Sequence, residues 1–126
     1  MKKEKSCGCV IFNNNEVLVI KDTNGNYGFP KGHMENGETE VETAIRETKE
    51  ETNVDVIVDE NRRYEINYYI KERDIDKTVV FFRARYNGGN LKTQEGETED
   101  IQWIPEKDLL NVLTWKDSKE VYENLK

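Results

Sequence analysis

GHMENGETEVETAIRETKEETNV, residues 32–54, is the stretch on which both the fold and the chemistry turn. Its second half carries the signals of a helix. Thr39 is a candidate N-cap with Glu42 three residues on, the spacing of a capping box, and Val41, Ala44, Ile45 and Thr48 follow at helical intervals. Asn53 marks the end, since Asn comes next after Gly in tolerating the left-handed conformation that stops a helix. Within that helix Glu47, Glu50 and Glu51 stand at i, i+3 and i+4, so their three carboxylates leave one face. Such runs are most often solvated faces, and their mutual repulsion costs only roughly a few tenths of a kcal/mol per pair. The helix alone therefore does not make a site.

Outward from this stretch the chain alternates strands and turns. Residues 6–12 (SCGCVIF) and 17–21 (VLVIK) predict an opening hairpin around Asn13, Asn14 and Asn15. Residues 22–37 (DTNGNYGFPKGHMENG) are too rich in Gly, Asn and Pro for a regular element and too long for a simple turn, which predicts a loop that serves a site. Downstream, residues 54–58, 64–70 and 78–86 read as strands, with Asn87-Gly88-Gly89-Asn90 as a turn. A charged stretch, 94–100, precedes a short strand (IQWI, 101–104). Pro105 then opens a helix through Leu109, Leu110 and Val112, and a last helix runs from Trp115 to Leu125. The expectation is an α+β fold, an α/β/α sandwich with a central mixed sheet flanked by helices, formed by residues 1–126 as one domain.

Composition narrows the function. Hydrophobic residues are 35% of the chain and charged residues 36%, but six Tyr, four Phe and two Trp argue for a folded domain with a small core. A formal charge of −7 opposes nucleic acid, membranes and free polyphosphate, so a phosphorylated substrate would need local cations, metal ions above all. Cys7 and Cys9 share one strand face, where an i,i+2 disulfide would be badly strained, and read as reduced thiols. A Cys-x-Cys metal site lacks a second pair, and the only histidine is the distant His33. Asn13 to Glu16 interrupt the first apolar run before a signal segment could form, and no stretch is long enough to span a membrane, which points to the cytoplasm.

The spacing around the helix changes its meaning. Gly32, five residues, Glu38, seven residues, Arg46-Glu47, two residues, Glu50-Glu51, and Val54 after Asn53 resemble the Nudix box, G-x5-E-x7-R-E-U-x-E-E-x-G-U with U apolar. Two positions depart: Thr48 stands where an apolar residue is usual, and Asn53 replaces the terminal Gly. Thr48 is expected to bury its methyl group and return its hydroxyl to a backbone carbonyl. The resemblance implies a hydrolase that cleaves a pyrophosphate linkage with Mg²⁺, or Mn²⁺, held by hard oxygen ligands. It implies Glu50 and Glu51 as ligands, Glu47 as a ligand or water-activating group, and the Gly32 carbonyl as a further ligand, with Arg46 and Glu38 orienting them. Many family members add one more acid from a distant loop. Glu97, six residues before Trp103, stands there, with Glu95 and Glu99 as competitors.

Beyond the box the chain is similar to the asymmetric diadenosine tetraphosphate hydrolases: CG-x-VIF near the start, FPKGH entering the box, then EINY and KTVVFF. That likeness implies water attack releasing ATP and AMP, Lys31 and His33 on phosphate, Tyr68 stacking on adenine, and Lys77 adding charge near the distal phosphates. Taken as residues, His33 is equally a loop histidine bonded to backbone, Tyr68 a core tyrosine, and Lys77 an ordinary surface lysine. Tyr68 and Tyr69 should face opposite sides of their strand, one toward the cleft. Alternatives stand beside this reading: a pyrophosphohydrolase of triphosphorylated RNA 5′ ends or of another nucleoside diphosphate-linked substrate, and a nucleotide-sensing module that has lost catalysis.

Overall fold

A computed structural model describes residues 1–126. In chain order the elements are β1 (Lys2–Asn13), β2 (Glu16–Asp22), β3 (Tyr27–Gly28), β4 (Lys31–His33), α1 (Glu40–Thr52), β5 (Val56–Ile70), a 3₁₀ turn (Lys71–Arg73), β6 (Ile75–Tyr86), β7 (Thr98–Pro105), α2 (Glu106–Val112) and α3 (Lys116–Leu125). The sheet is mixed. Its path runs β3-β2-β1-β6-β5, with β4 also paired to β1 and β7 to β2.

The parallel pair β1/β6 forms its centre, from Lys2↔Ile75 to Phe12↔Arg85. Both faces of that pair are covered, so β1 reads as a continuous buried run from Cys7 to Ile11 instead of an alternating one. Cys7, Cys9, Ile11, Val80, Phe82 and Ala84 pack on the α1 side with Ala44 and Val54. Val10, Val79 and Phe81 pack on the other side against Leu109, Val121 and Leu125 of α2 and α3. The expected three-layer sandwich is what forms. Both thiols are free and buried, and burial pushes Cys7 up to about 11 and Cys9 to about 12, so neither ionises near neutrality. No helix is long and apolar enough to cross a membrane.

Several expectations are corrected. The opening hairpin exists only at its tip, Phe12↔Val17 and Asn13↔Glu16, with Asn14 and Asn15 at φ 49° and 65°. Beyond the tip β1 and β2 part, and β4 takes the vacated edge of β1 through Ser6↔His33, Cys7↔Gly32 and Gly8↔Lys31. The segment 22–37 thus contains two short strands. The strands expected at 54–58 and 64–70 are one, β5, which starts at Val56 and carries a bulge between Asp59 and Arg63; β6 begins at Ile75 and β7 at Thr98. The charged run in the middle of β5 hides the continuity, because the bulge exposes side chains that a regular ladder would alternate.

Helix α1 keeps its expected ends: the Thr39 capping box is complete and Asn53 is left-handed at φ 65°. Its buried stripe differs from the expected one. Thr43, Ala44, Thr48 and Thr52 face the sheet, whereas Ile45 is 41% exposed. Small residues at i, i+4 and i+8 let the helix lie close to β1, where the Cys9 Sγ–H reaches the Ala44 carbonyl at 3.7 Å. Thr48 does not return its hydroxyl to a carbonyl, and its Oγ1 has no hydrogen-bond partner. Thr52 Oγ1 makes that bond instead, donating to Thr48 O at 2.6 Å.

Tight apposition also governs β1 and β4. A Cβ on Gly8 would strike the Pro30 carbonyl and lie 2.7 Å from the Lys31 Cβ, so β4 could not keep its register. Gly8→Ala is therefore expected to destabilise the fold by about 1–3 kcal/mol. Urea denaturation of the two proteins checks this, and an unchanged midpoint would refute it.

Candidate active site

The site begins with one arginine. Glu38, in the turn before α1, accepts Arg46 Nε at 2.6 Å and Nη2 at 3.0 Å, and also Thr43 Oγ1 at 2.8 Å and the Glu35 N–H at 2.9 Å. The Arg46 guanidinium, then the Glu35 amide, holds the Glu38 carboxyl down at about 2. Arg46 Nη2 donates to the His33 carbonyl at 2.9 Å, while Nη1 lies 3.3 Å from Glu47 and 3.2 Å from Glu50. One planar fork thus joins the turn, β4 and two acids of α1.

Glu47 rests on Gly32. Any Cβ at residue 32 would overlap the Glu47 carboxylate, so this glycine is needed for close approach; its φ is not in the left-handed region. Burial, and next the neighbouring Glu50, raises the Glu47 pKa. Glu51 Oε2 accepts the Lys31 backbone N–H at 2.8 Å, and burial pushes its carboxyl up to about 8 despite that bond. The three acids do share a face of α1, as their spacing predicts. As the side chains stand, however, no three acids gather closely enough to chelate an ion. Glu47 and Glu50 turn to Arg46, and Glu51 turns to Lys31. The donor chemistry nonetheless fits a hard divalent cation: every side-chain donor is a carboxylate oxygen, and Glu47 and Glu51, whose pKa values burial raises, are acids that a bound cation would compensate for lost solvation.

Glu51 also lines a cavity of about 670 Å³. Ile66, Tyr68, Val79 and Phe81 form its sheet wall, and Tyr27, Phe29 and Trp115 contribute aromatic surface from the β3–β4 segment and the start of α3. Lys31 and Glu97 complete the lining beside Glu51. Of the four acids in the charged stretch, Glu95, Glu97, Glu99 and Asp100, Glu97 alone reaches the cavity. Glu99 pairs with Lys21 at 3.2 Å, and Glu95 is absent from the walls. Tyr68 faces the cavity, and burial raises its hydroxyl pKa. Tyr69 points away, 53% exposed, its hydroxyl bonded to Asp74. Tyr27, Trp115 and Asp117 also line the cavity and were not anticipated, because only tertiary packing brings these loop and helix-start residues to β5.

Lys31 and His33 alternate with Gly32, so they leave β4 on the side opposite Glu47. His33 is exposed, with Nε2 3.7 Å from Glu4, and burial of the ring, then the nearby Lys77, lowers its pKa. Lys77 is not the surface lysine its position at a strand start implied. It is 5% exposed, donates to Ser6 Oγ at 2.7 Å, and lies outside the cavity lining. Burial, then Lys31, lowers its pKa.

With this geometry in place, the relatives of the chain can be compared. Residues 2–125 match the NUDIX domain family. The asymmetrical bis(5'-nucleosyl)-tetraphosphatase of Sus scrofa is 29% identical over 135 residues, covering 94% of this chain and 90% of the pig protein. MutT4, a candidate mutator protein of Mycobacterium tuberculosis, is 33% identical over 98 residues; these cover 77% of this chain but only 40% of that longer protein. A solved binary complex of the Ap4A hydrolase of C. elegans has a TM-score of 0.84 over 96% of this chain and 93% of its own, at 24% identity, a likeness of fold.

The Glu38–Arg46 pair yields a pH-dependent expectation. Because the folded Glu38 carboxyl lies near 2 against an ordinary 4.5, its contribution is complete above 4.5 and is lost as the pH falls from there toward 2. Glu38→Gln should be less stable than the parent at neutral pH, and the gap should close as acid is added. Urea midpoints measured across that range test it; a constant gap would show that the charge of Glu38 is not what matters.

Proposed function

Because this chain belongs to the Nudix hydrolase family, we propose that residues 1–126 act as one catalytic domain that hydrolyses diadenosine tetraphosphate to ATP and AMP, with Mg²⁺ or Mn²⁺ as the working ion. The observation that carries this reading is the mixed lining of one cavity, where the acids Glu51 and Glu97 and the cation Lys31 share walls with Tyr68, Tyr27 and Trp115. A nucleotide offers the matching groups, an anionic phosphate chain and a flat base for aromatic stacking. The volume suits a nucleoside with part of its chain. The pig relative is itself named as an asymmetrical bis(5'-nucleosyl)-tetraphosphatase.

In this proposal Glu47, Glu50, Glu51 and Glu97 hold the ion together with the Gly32 carbonyl. When bound, a divalent ion neutralises phosphate oxygens and lowers the pKa of a bound water. The remaining work belongs to the chain. Lys31 and His33 hold phosphate oxygens, with Lys77 behind them as a buried positive charge. Tyr68 stacks on the adenine and fixes one end of the substrate. Either Glu47 or Glu97 takes the proton from the attacking water. Arg46 bridges Glu47 and Glu50 through Nη1 and so orients both, and Glu38 holds Arg46.

With Mg²⁺ the purified protein is expected to release ATP and AMP in equal amounts from diadenosine tetraphosphate, as read by chromatography, and Glu51→Gln to lower turnover by several orders of magnitude. Two molecules of ADP, or full activity in the variant, would sink the proposal. Gly32→Ala offers an independent handle, because its methyl group displaces only the end of the flexible Glu47 side chain. It should leave the thermal midpoint nearly unchanged while weakening Mg²⁺ affinity by about 10–100-fold. Calorimetric titration with Mg²⁺ measures that; parental affinity in Gly32→Ala would remove Glu47 and Gly32 from the ion's ligands.

A further inference from the structure

Glu4 is the only acid before Glu16, and it sits among cations. In the sheet register Glu4 pairs with Lys77 and Ser6 with both Val79 and His33, so Glu4, Ser6, Lys77, Lys31 and His33 share one face. The Glu4 side chain is only 11% exposed. Its Oε1 lies 3.7 Å from Lys77 Nζ and 3.7 Å from His33 Nε2, and its Oε2 lies 3.5 Å from Arg73 Nη2. All three distances exceed the roughly 2.7–2.9 Å of a tight charge-assisted bond. The short bond of Lys77 goes to Ser6 instead, at 2.7 Å. One carboxylate is thus shared loosely among three basic groups and locked to none of them.

We propose that Glu4 limits the length of the polyphosphate chain this face accepts, by occupying with its own charge the position beyond His33 where a further phosphate would otherwise bind. The proposal rests on the reading of Lys31 and His33 as phosphate contacts. A chain running from Lys31 to His33 follows alternate residues of β4, roughly 7 Å apart. The next phosphate meets the Glu4 carboxylate, and like charges repel it. Removing that charge leaves the exposed Arg73, on the 3₁₀ turn, to act as an additional phosphate contact, with the buried Lys77 adding positive charge behind it. Glu4 and Arg73 therefore determine specificity and lie outside the acid cluster that performs the hydrolysis.

Inorganic pyrophosphate and tetrapolyphosphate are the probes, titrated calorimetrically in buffer containing Mg²⁺ against the full chain, Glu4→Gln, and Glu4→Gln with Arg73→Gln. Glu4→Gln should tighten tetrapolyphosphate binding about tenfold relative to pyrophosphate, as removal of one close repulsive charge predicts. Adding Arg73→Gln should cancel most of that gain, and Arg73 is exposed enough that its loss leaves folding intact. If both probes bind but their ratio is the same in all three proteins, Glu4 does not measure chain length and the inference fails alone. If neither probe binds any of the proteins, the phosphate role of Lys31 and His33 fails with it.

Discussion

Everything in this molecule that bears on chemistry depends on how closely α1 approaches the sheet. Ala44, Thr48 and Thr52 on the helix allow that approach, and Gly32 on the strand side leaves room for a carboxylate where a side chain would stand. Larger residues in the stripe would have made a better apolar core and a worse site, because Glu47 could no longer rest on Gly32 nor Glu51 reach the Lys31 amide. The unpartnered hydroxyl of Thr48 is part of the cost of that choice. The larger apolar side chains lie in the central parallel pair and under α2 and α3, where Phe29, Val79 and Phe81 also form part of the cavity wall beside Glu51.

The three residues of β4 sort the charges. With a side-chain period of two, Gly32 faces the helix and its acids while Lys31 and His33 face the other way. Glu47 is thereby held on one face of the strand and the Lys31 and His33 side chains on the other, while the Lys31 amide binds Glu51 and Arg46, from the helix, reaches the His33 carbonyl. A chain of −7 can in this way present positive charge locally without a basic surface. Uneven burial does the rest: Glu38 is held near 2 by its arginine, whereas Glu51, with a single amide donor, is pushed to about 8.

What could be read in the sequence is what depends on near neighbours. The Thr39–Glu42 box, the left-handed Asn53 and the Glu47/Glu50/Glu51 face are all fixed within four residues of each other, and all appear as read. Elements set by distant partners could not be read in this way. β4 is three residues long and is a strand only because β1 offers Ser6–Gly8. The burial of Lys77 follows from Ser6, 71 positions away, and not from its own surroundings in sequence. The continuity of β5 is masked by its bulge, and the stripe of α1 was misjudged because hydrophobicity favours Ile45 where packing distance favours threonine. Which of Glu95, Glu97 and Glu99 lines the cavity could not be read from spacing either, since Glu99 pairs with Lys21 across the sheet and Glu97 faces the cavity.

The substrate proposed for this chain has two identical ends and poses a particular demand, because an asymmetric cut requires the protein to treat those ends differently. One aromatic-walled cavity beside a short line of cations does so by construction. The Tyr68 wall and the Lys31–His33 face meet at Lys31, next to Glu51 and Glu97. Under the proposed function, a nucleoside seated on that wall would fix how many phosphates lie between the base and the acids, so that the point of attack is set by a distance measured from the seated end. The same geometry explains why the acids alone say so little about substrate. In the proposed reaction they account for an anhydride being cut, whereas the spacing between Tyr68 and Lys31 would select which one.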